Sequence, residues 1–208
     1  MQQLYFKNFI PAAILTFFTA VIILTASCII GKDNFFLLLN TDLGATADKF
    51  FAFWTHMGEE YAWIVLFILF LIFRRKQLPL FLGAVAISTL IAQLIKNTVM
   101  HNEPRPTLEI ADPTHTLIHT VQGVHLSTIN SFPSGHTTSA FSIYLVLCLL
   151  IPKKWIIPVG FIYALLVAYS RIYLAQHFPR DLGAGMIVAI ISVYLAILIQ
   201  KRVDKRRI

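Results

Sequence analysis

Three polar blocks in an otherwise apolar chain carry the side chains that could do chemistry. Residues 96–106 read K-N-T-V-M-H-N-E-P-R-P, residues 130–139 read N-S-F-P-S-G-H-T-T-S, and residues 170–181 read S-R-I-Y-L-A-Q-H-F-P-R-D. Together they hold three arginines, one lysine, three histidines and a Ser-Gly turn, with Asp181 closing the last block. That is the composition of a site that binds and transfers phosphate. Guanidinium and ammonium groups neutralise phosphoryl oxygens through charge-assisted hydrogen bonds, and histidine can attack or move a proton near neutral pH.

The order of residues within the blocks sharpens this. Pro133 suits a first helical position, with Asn130 or Ser131 available as the cap. Ser134, Gly135 and His136 then fall in the first turn, where free backbone N–H groups make a ready anion site. Ser134 adds a hydroxyl donor, and Gly135 lets an anion approach the backbone. In the third block Arg171 lies near the end of an apolar run, and His177 follows where that helix should stop. Pro179 separates it from the next helix, whose first turn contains Asp181. The spacing predicts that Asp181 accepts a hydrogen bond from one nitrogen of His177, which fixes the tautomer and leaves the other nitrogen free to attack.

The elements that must position these groups are membrane helices. The chain has 208 residues, 57% hydrophobic and 13% charged, far more apolar than a soluble domain. A span needs about 20 mostly apolar residues, and six candidates stand out: 9–30, 58–74, 79–99, 134–151, 155–176 and 180–200. The expected fold is therefore one all-α membrane domain, 1–208, with six transmembrane helices. Pro11 sits in what should be the first turn of the first span, where proline is tolerated. Cys28 and Cys148 fall toward opposite ends of their spans, too far apart for a disulfide. Residues 24–28 faintly resemble a lipoprotein cleavage site, but the apolar run is too long, and an uncleaved anchor is the better reading.

The net charge of +7 does not indicate nucleic acid. Lys7, Arg74 to Lys76, Lys153-Lys154 and Lys201 to Arg207 all fall on one side of a six-span chain. That side holds eleven of the 17 Lys and Arg and one acid, Asp204; the other side holds nine acids and all 7 His. Positive residues stay cytoplasmic, so both termini are expected inside and the three polar blocks outside.

Three further stretches remain open. Residues 45–57 mix Phe50, Phe51, Phe53 and Trp54 with Asp48, Lys49 and His56, and read as an interfacial amphipathic helix or as an extension of the second span. Glu59 and Glu60 either favour the positive end of a helix or put a carboxylate into the site cavity. The loop 100–131 is the longest connection. His115 and His119 are spaced to share a metal if helical, with His125 as a third ligand, but Gly123 argues against one helix carrying all three. Solvated loop histidines are the simpler reading.

The chain resembles the type 2 phosphatidic acid phosphatase superfamily, which also contains glucose-6-phosphatase, bacterial acid phosphatases and vanadium haloperoxidases. The family pattern is K-x6-R-P, then P-S-G-H, then S-R-x5-H-x3-D. Pro133 to His136 match the second element, and Ser170, Arg171, His177 and Asp181 match the third at full spacing. The first element departs from it: eight residues separate Lys96 from Arg105-Pro106, so either the loop bulges or Lys96 is retired, and the bulge is the expectation. The resemblance covers about 43–200. It implies that His177 is the nucleophile, that Asp181 orients it, and that His136 is the acid and later the base. It implies that Arg105, Arg171, Ser134, the Gly135 amide and Lys96 bind the phosphate, with no metal and no cofactor. The implied substrate is a membrane lipid: phosphatidic acid, phosphatidylglycerol phosphate, a polyprenyl pyrophosphate or lipid A. The implied place is a bacterial inner membrane with the site facing the periplasm. Transfer to an acceptor lipid, a haloperoxidase and a non-enzymatic lipid transporter are the alternatives.

Overall fold

The computed structural model describes residues 4–110 and 117–206, and among them every regular element is helical. In chain order these are α1 (Phe6–Ile30), α2 (Lys32–Leu39), α3 (Ala45–Trp54), α4 (Glu60–Phe73), α5 (Leu78–Leu94), α6 (Pro106–Glu109), α7 (Gly135–Leu150), α8 (Ile156–Tyr173) and α9 (Pro179–Arg206). A 3₁₀ turn, Thr55–Gly58, follows α3, and a π turn, Ile95–Val99, follows α5. His115 and the side chain of Glu60 lie outside the described residues.

The apolar runs became helices close to their expected bounds, but not all are equally long. Four segments are long and apolar enough to cross a membrane alone: Phe6–Ile30, Arg75–Val99, Ile156–Tyr173 and Pro179–Arg206. The expected second span is joined to the 45–58 segment through a 49° bend, and the pair counts as a fifth crossing only if taken as one. The expected fourth span, α7, has 16 residues, about 24 Å of helix, which is short of a hydrocarbon core about 30 Å thick. It survives as a short element because it does not face lipid. Phe141, Tyr144, Leu145 and Leu149 are fully buried, and α1, α5, α8 and α9 pack around it. A helix apolar on every side belongs in such a centre.

At the periphery, α4 rests on α5 mainly through Phe81, whose ring centroid lies 4.6, 5.4 and 6.1 Å from those of Phe70, Trp63 and Phe67. Each such pair adds about 0.5–1.5 kcal/mol beyond area burial. The opposite face of α4, with Tyr61, Ile64, Val65 and Ile72, is exposed, as suits a helix against lipid. Pro11 falls well inside α1, because that helix starts at Phe6, earlier than expected. Cys28 is exposed, Cys148 is buried, and both are free.

The basic clusters gather at one end of the bundle. Asn8 Nδ2 donates to the carbonyls of Ile151 (2.7 Å) and Lys153 (3.4 Å), and Gln200 Nε2 to that of Lys76 (2.9 Å). Lys201 Nζ lies 5.3 Å from the centre of the Phe6 ring. The three polar blocks close the other end.

Candidate active site

Backbone hydrogen bonds stitch the three blocks together. The Ser131 amide donates to the Glu103 carbonyl (3.0 Å), the Arg105 amide to Thr128 O (2.8 Å), and the Ser134 amide to Asp181 O (3.0 Å). Helix α9 can come this close to the start of α7 because residue 185 is glycine. A Cβ there would lie 2.8 Å from the Ser134 carbonyl oxygen.

The start of α7 lies two positions beyond Pro133, the expected first helical residue. Ser134, not Asn130 or Ser131, is the cap, and Gly135 is the first helical residue. Pro133 precedes the cap after a cis peptide bond, and Ser131 is used elsewhere, donating to Asp181 Oδ2 at 2.5 Å. Ser134 Oγ accepts from the Thr137 amide (3.4 Å) and hydroxyl (2.9 Å), so its own proton stays available to a ligand. A Cβ on Gly135 would meet no atom within 4 Å: the space in front of this backbone is open.

His177 and Asp181 form a buried pair. His177 Nδ1 lies 3.3 Å from Asp181 Oδ2, with side-chain exposures of 2% and 0%. Asp181 Oδ2 also accepts from the Phe178 amide at 3.0 Å. Burial, and then the charges of Arg105, Arg171 and Lys96, hold His177 well below the ordinary histidine range. Its ring is therefore neutral near pH 7, the form that can act as a nucleophile.

The cations converge on the same place. Arg105 Nη1 donates to the carbonyl and the side-chain oxygen of Gln176, both at 3.0 Å, and Arg105 Nε to Ile129 O at 2.9 Å. Arg171 Nη1 donates to Thr55 Oγ1 at 2.5 Å, while its buried Nε has no hydrogen-bond partner among the described residues. A buried guanidinium nitrogen left over is unusual and suits an anion. Lys96 lies near them. It lines a cavity with Gly135 and His136 and interacts electrostatically with Arg105, Arg171 and Asp181. The π turn at Ile95–Val99, closed by the Met100 amide on Ile95 O at 2.8 Å, takes up one of the extra residues before Arg105. Arg180 instead pairs with Glu103, and Glu103 also approaches Lys32.

His136 faces a second carboxylate. Its Nε2 lies 3.3 Å from Glu59 Oε1, and Glu59 Oε2 lies 2.8 Å from His56 Nδ1. Of the two open readings of Glu59, the cavity-facing one describes the structure. Two cavities meet at this pair. One, about 380 Å³, lies between α4, α5 and α7 and is lined by Trp63, Ser88, Gln93 and Lys96; the other, about 430 Å³, is lined by Thr55, His125, Arg171 and Gln176. His136 and Glu59 border both.

Gln176 and Thr55 gave no signal in the sequence and Ser131 reads there only as a cap, because their roles depend on partners 71, 116 and 50 residues away. His119 sits with its ring nitrogens 3.1 Å from Asp48 Oδ1 and 4.0 Å from Asp42 Oδ1. It therefore ties its loop to the start of α3, while His125 borders the larger cavity.

Residues 77–205 match the model of the PAP2 superfamily. The undecaprenyl-diphosphatase of Sulfolobus acidocaldarius is 31% identical over 168 residues, covering 79% of this chain and 76% of that one. A lipid A 4'-phosphatase of Porphyromonas gingivalis is 28% identical over 77% of this chain and 69% of its own length. The crystal structure of Aquifex aeolicus LpxE superposes with a TM-score of 0.68 at 31% identity, covering 78% of this chain and 92% of that one.

Proposed function

This chain belongs to the PAP2 superfamily, and from that premise we propose that it is a membrane lipid phosphatase working through a phosphohistidine on His177. The observation that carries the mechanism is the buried His177–Asp181 pair at the focus of Arg105, Arg171 and Lys96. Asp181 holds Nδ1–H, so Nε2 presents its lone pair to phosphorus. As the N–P bond forms, the P–O bond to the lipid breaks, and the leaving oxygen takes a proton from His136. Water then attacks the phosphohistidine, gives its proton to His136, and the P–N electron pair returns to His177. Arg105, Arg171, Lys96, the Ser134 hydroxyl and the Gly135 amide neutralise the charge on the phosphoryl oxygens.

The relatives are named for undecaprenyl diphosphate and lipid A. An amphiphile of this kind fits a site at the end of an apolar helix bundle, its chains in lipid and its phosphate among the cations. Release of inorganic phosphate by the purified protein should be measured on short-chain phosphatidic acid, phosphatidylglycerol phosphate, a prenyl diphosphate and lipid A, with and without an acceptor lipid. Release from at least one, with an acid-labile phosphoenzyme trapped on His177, is expected. No release from any of them would refute the phosphatase reading, and phosphate passing only to the acceptor would make the protein a transferase.

Orientation follows from charge. The basic end belongs in the cytoplasm and the site faces outward, across the inner membrane of a bacterium. In a Cys28→Ser background, a cysteine at Gln122 should react with an impermeant reagent added outside, and one at Lys153 should not. The reverse pattern would invert the topology.

A further inference from the structure

The proposed chemistry uses His136 as acid and base but leaves open what holds its ring and which nitrogen works. We propose that Glu59 is the positioning residue of His136: it holds Nε2–H, so that Nδ1 is the nitrogen that exchanges a proton with the substrate, and His56 fixes Glu59 in turn. This rests on the phosphatase reading above.

The support is the way the Thr55–Gly58 turn is built. Thr55 Oγ1 accepts from Arg171 at 2.5 Å, and the Met57 carbonyl accepts from the Tyr163 hydroxyl at 2.7 Å. Gly58 then passes so close to α7 and α8 that a Cβ would meet Val167 Cγ1 at 2.6 Å and the His136 carbonyl oxygen at 3.1 Å. Glu59, extended at φ −91° and ψ 179°, follows at once. The turn is anchored at Thr55 and Met57, and the absence of a side chain at Gly58 is what lets Glu59 reach His136. The carboxylate then spends both oxygens on imidazoles, Oε1 on His136 and Oε2 on His56.

The charges require such a partner. Arg171 on α8 and Arg105 on the loop both act electrostatically on His136, and Glu59 is the counter-charge that faces it. A carboxylate on one ring nitrogen offsets part of the repulsion from the two arginines and selects the tautomer. The proton balance then closes. The imidazolium gives Nδ1–H to the leaving oxygen, keeps Nε2–H on Glu59, and recovers a proton at Nδ1 from the attacking water.

The test reads phosphoenzyme formation in single turnovers with two probes, dioctanoyl phosphatidic acid and p-nitrophenyl phosphate. An alkoxide needs a proton to leave, and a nitrophenolate hardly does. Glu59→Gln should slow formation from the phosphatidic acid roughly ten- to hundredfold, within the contribution of a general acid, and barely change it from the nitrophenyl ester. His56→Gln should show the same selectivity, more weakly. In a His136→Ala background, Glu59→Gln should add no further loss. Equal losses on both probes, or a loss additive with His136→Ala, would overturn the assignment. Nitrogen-15 shifts of the His136 ring test it apart from any activity. At a pH where the ring is neutral an Nε2–H tautomer is expected, with the proton on Nδ1 added on going to the acid form; an Nδ1–H tautomer of the neutral ring would overturn the positioning role while leaving the phosphatase reading intact.

Discussion

The site contains two histidine–carboxylate pairs that differ in setting more than in chemistry. His177 and Asp181 are sealed, with side-chain exposures of 2% and 0%, and lie four residues apart across a helix start. His136 and Glu59 are exposed by 25% and 24% and are 77 residues apart. The difference fits the two tasks proposed for them. A nucleophile is helped by a fixed, dry, neutral ring, and Asp181 is itself held by Ser131 and the Phe178 amide. An acid that must later activate water needs a path for water, and His136 borders two cavities. One pair is built for rigidity and the other for access.

The sharpest way to break this contrast is to remove each histidine. His177→Ala should abolish turnover of every substrate and leave no acid-labile phosphoenzyme; an active variant would move the nucleophile elsewhere. His136→Ala should cost about a hundredfold to ten-thousandfold on an alkyl lipid phosphate and much less on nitrophenyl phosphate, with phosphoenzyme formation followed in single turnovers. Equal losses would mean that the open pair serves as a binding cation and not as an acid.

Lys96 tests where the two settings join, since it lines the open cavity with His136 yet also acts on His177. If Lys96 holds a phosphoryl oxygen as proposed, Lys96→Ala should remove a charge-assisted contact worth about 1.5–3 kcal/mol, roughly a tenfold to hundredfold loss in rate. Unchanged kinetics would show that the lengthened segment before Arg105 has retired the residue.

The smallest effect concerns stability. Because the folded protein holds His177 well below its ordinary range, the unfolded chain binds the extra proton first. Stability should therefore fall as pH drops below about 6.5, by up to about 1.4 kcal/mol per pH unit from this group. His177→Asn should flatten that limb, seen in the thermal midpoint between pH 7 and pH 5. Parallel profiles for the two proteins would contradict a buried neutral ring.

Much of this was legible in the chain. The six apolar runs fall where helices lie, and the three polar blocks meet at one end of the bundle. His177 and Asp181 could be paired from spacing alone, because their contact is local: Pro179 starts a helix and puts residue 181 one turn from residue 177. The gathering of Lys7, Lys76, Lys153 and Lys201 at one end follows from the lengths of the apolar runs that separate them.

What spacing could not give were contacts between distant segments. The cap of α7 moved from residues 130–131 to Ser134 because Ser131 is drawn to Asp181, 50 residues on. The shortness of α7 became tolerable only because four helices shield it from lipid. Glu59 reads more readily as a favourable charge at a helix end, but a glycine that fits between Val167 and the His136 carbonyl brings it to the ring. The sequence by itself determined the class of chemistry, the helices and the local histidine pair, since residue type, hydropathy and short-range spacing act within one or two turns. The tertiary structure alone decided the second pair, the Gln176 and Thr55 supports of the arginines and the place of Lys96, because those depend on how separate helices meet.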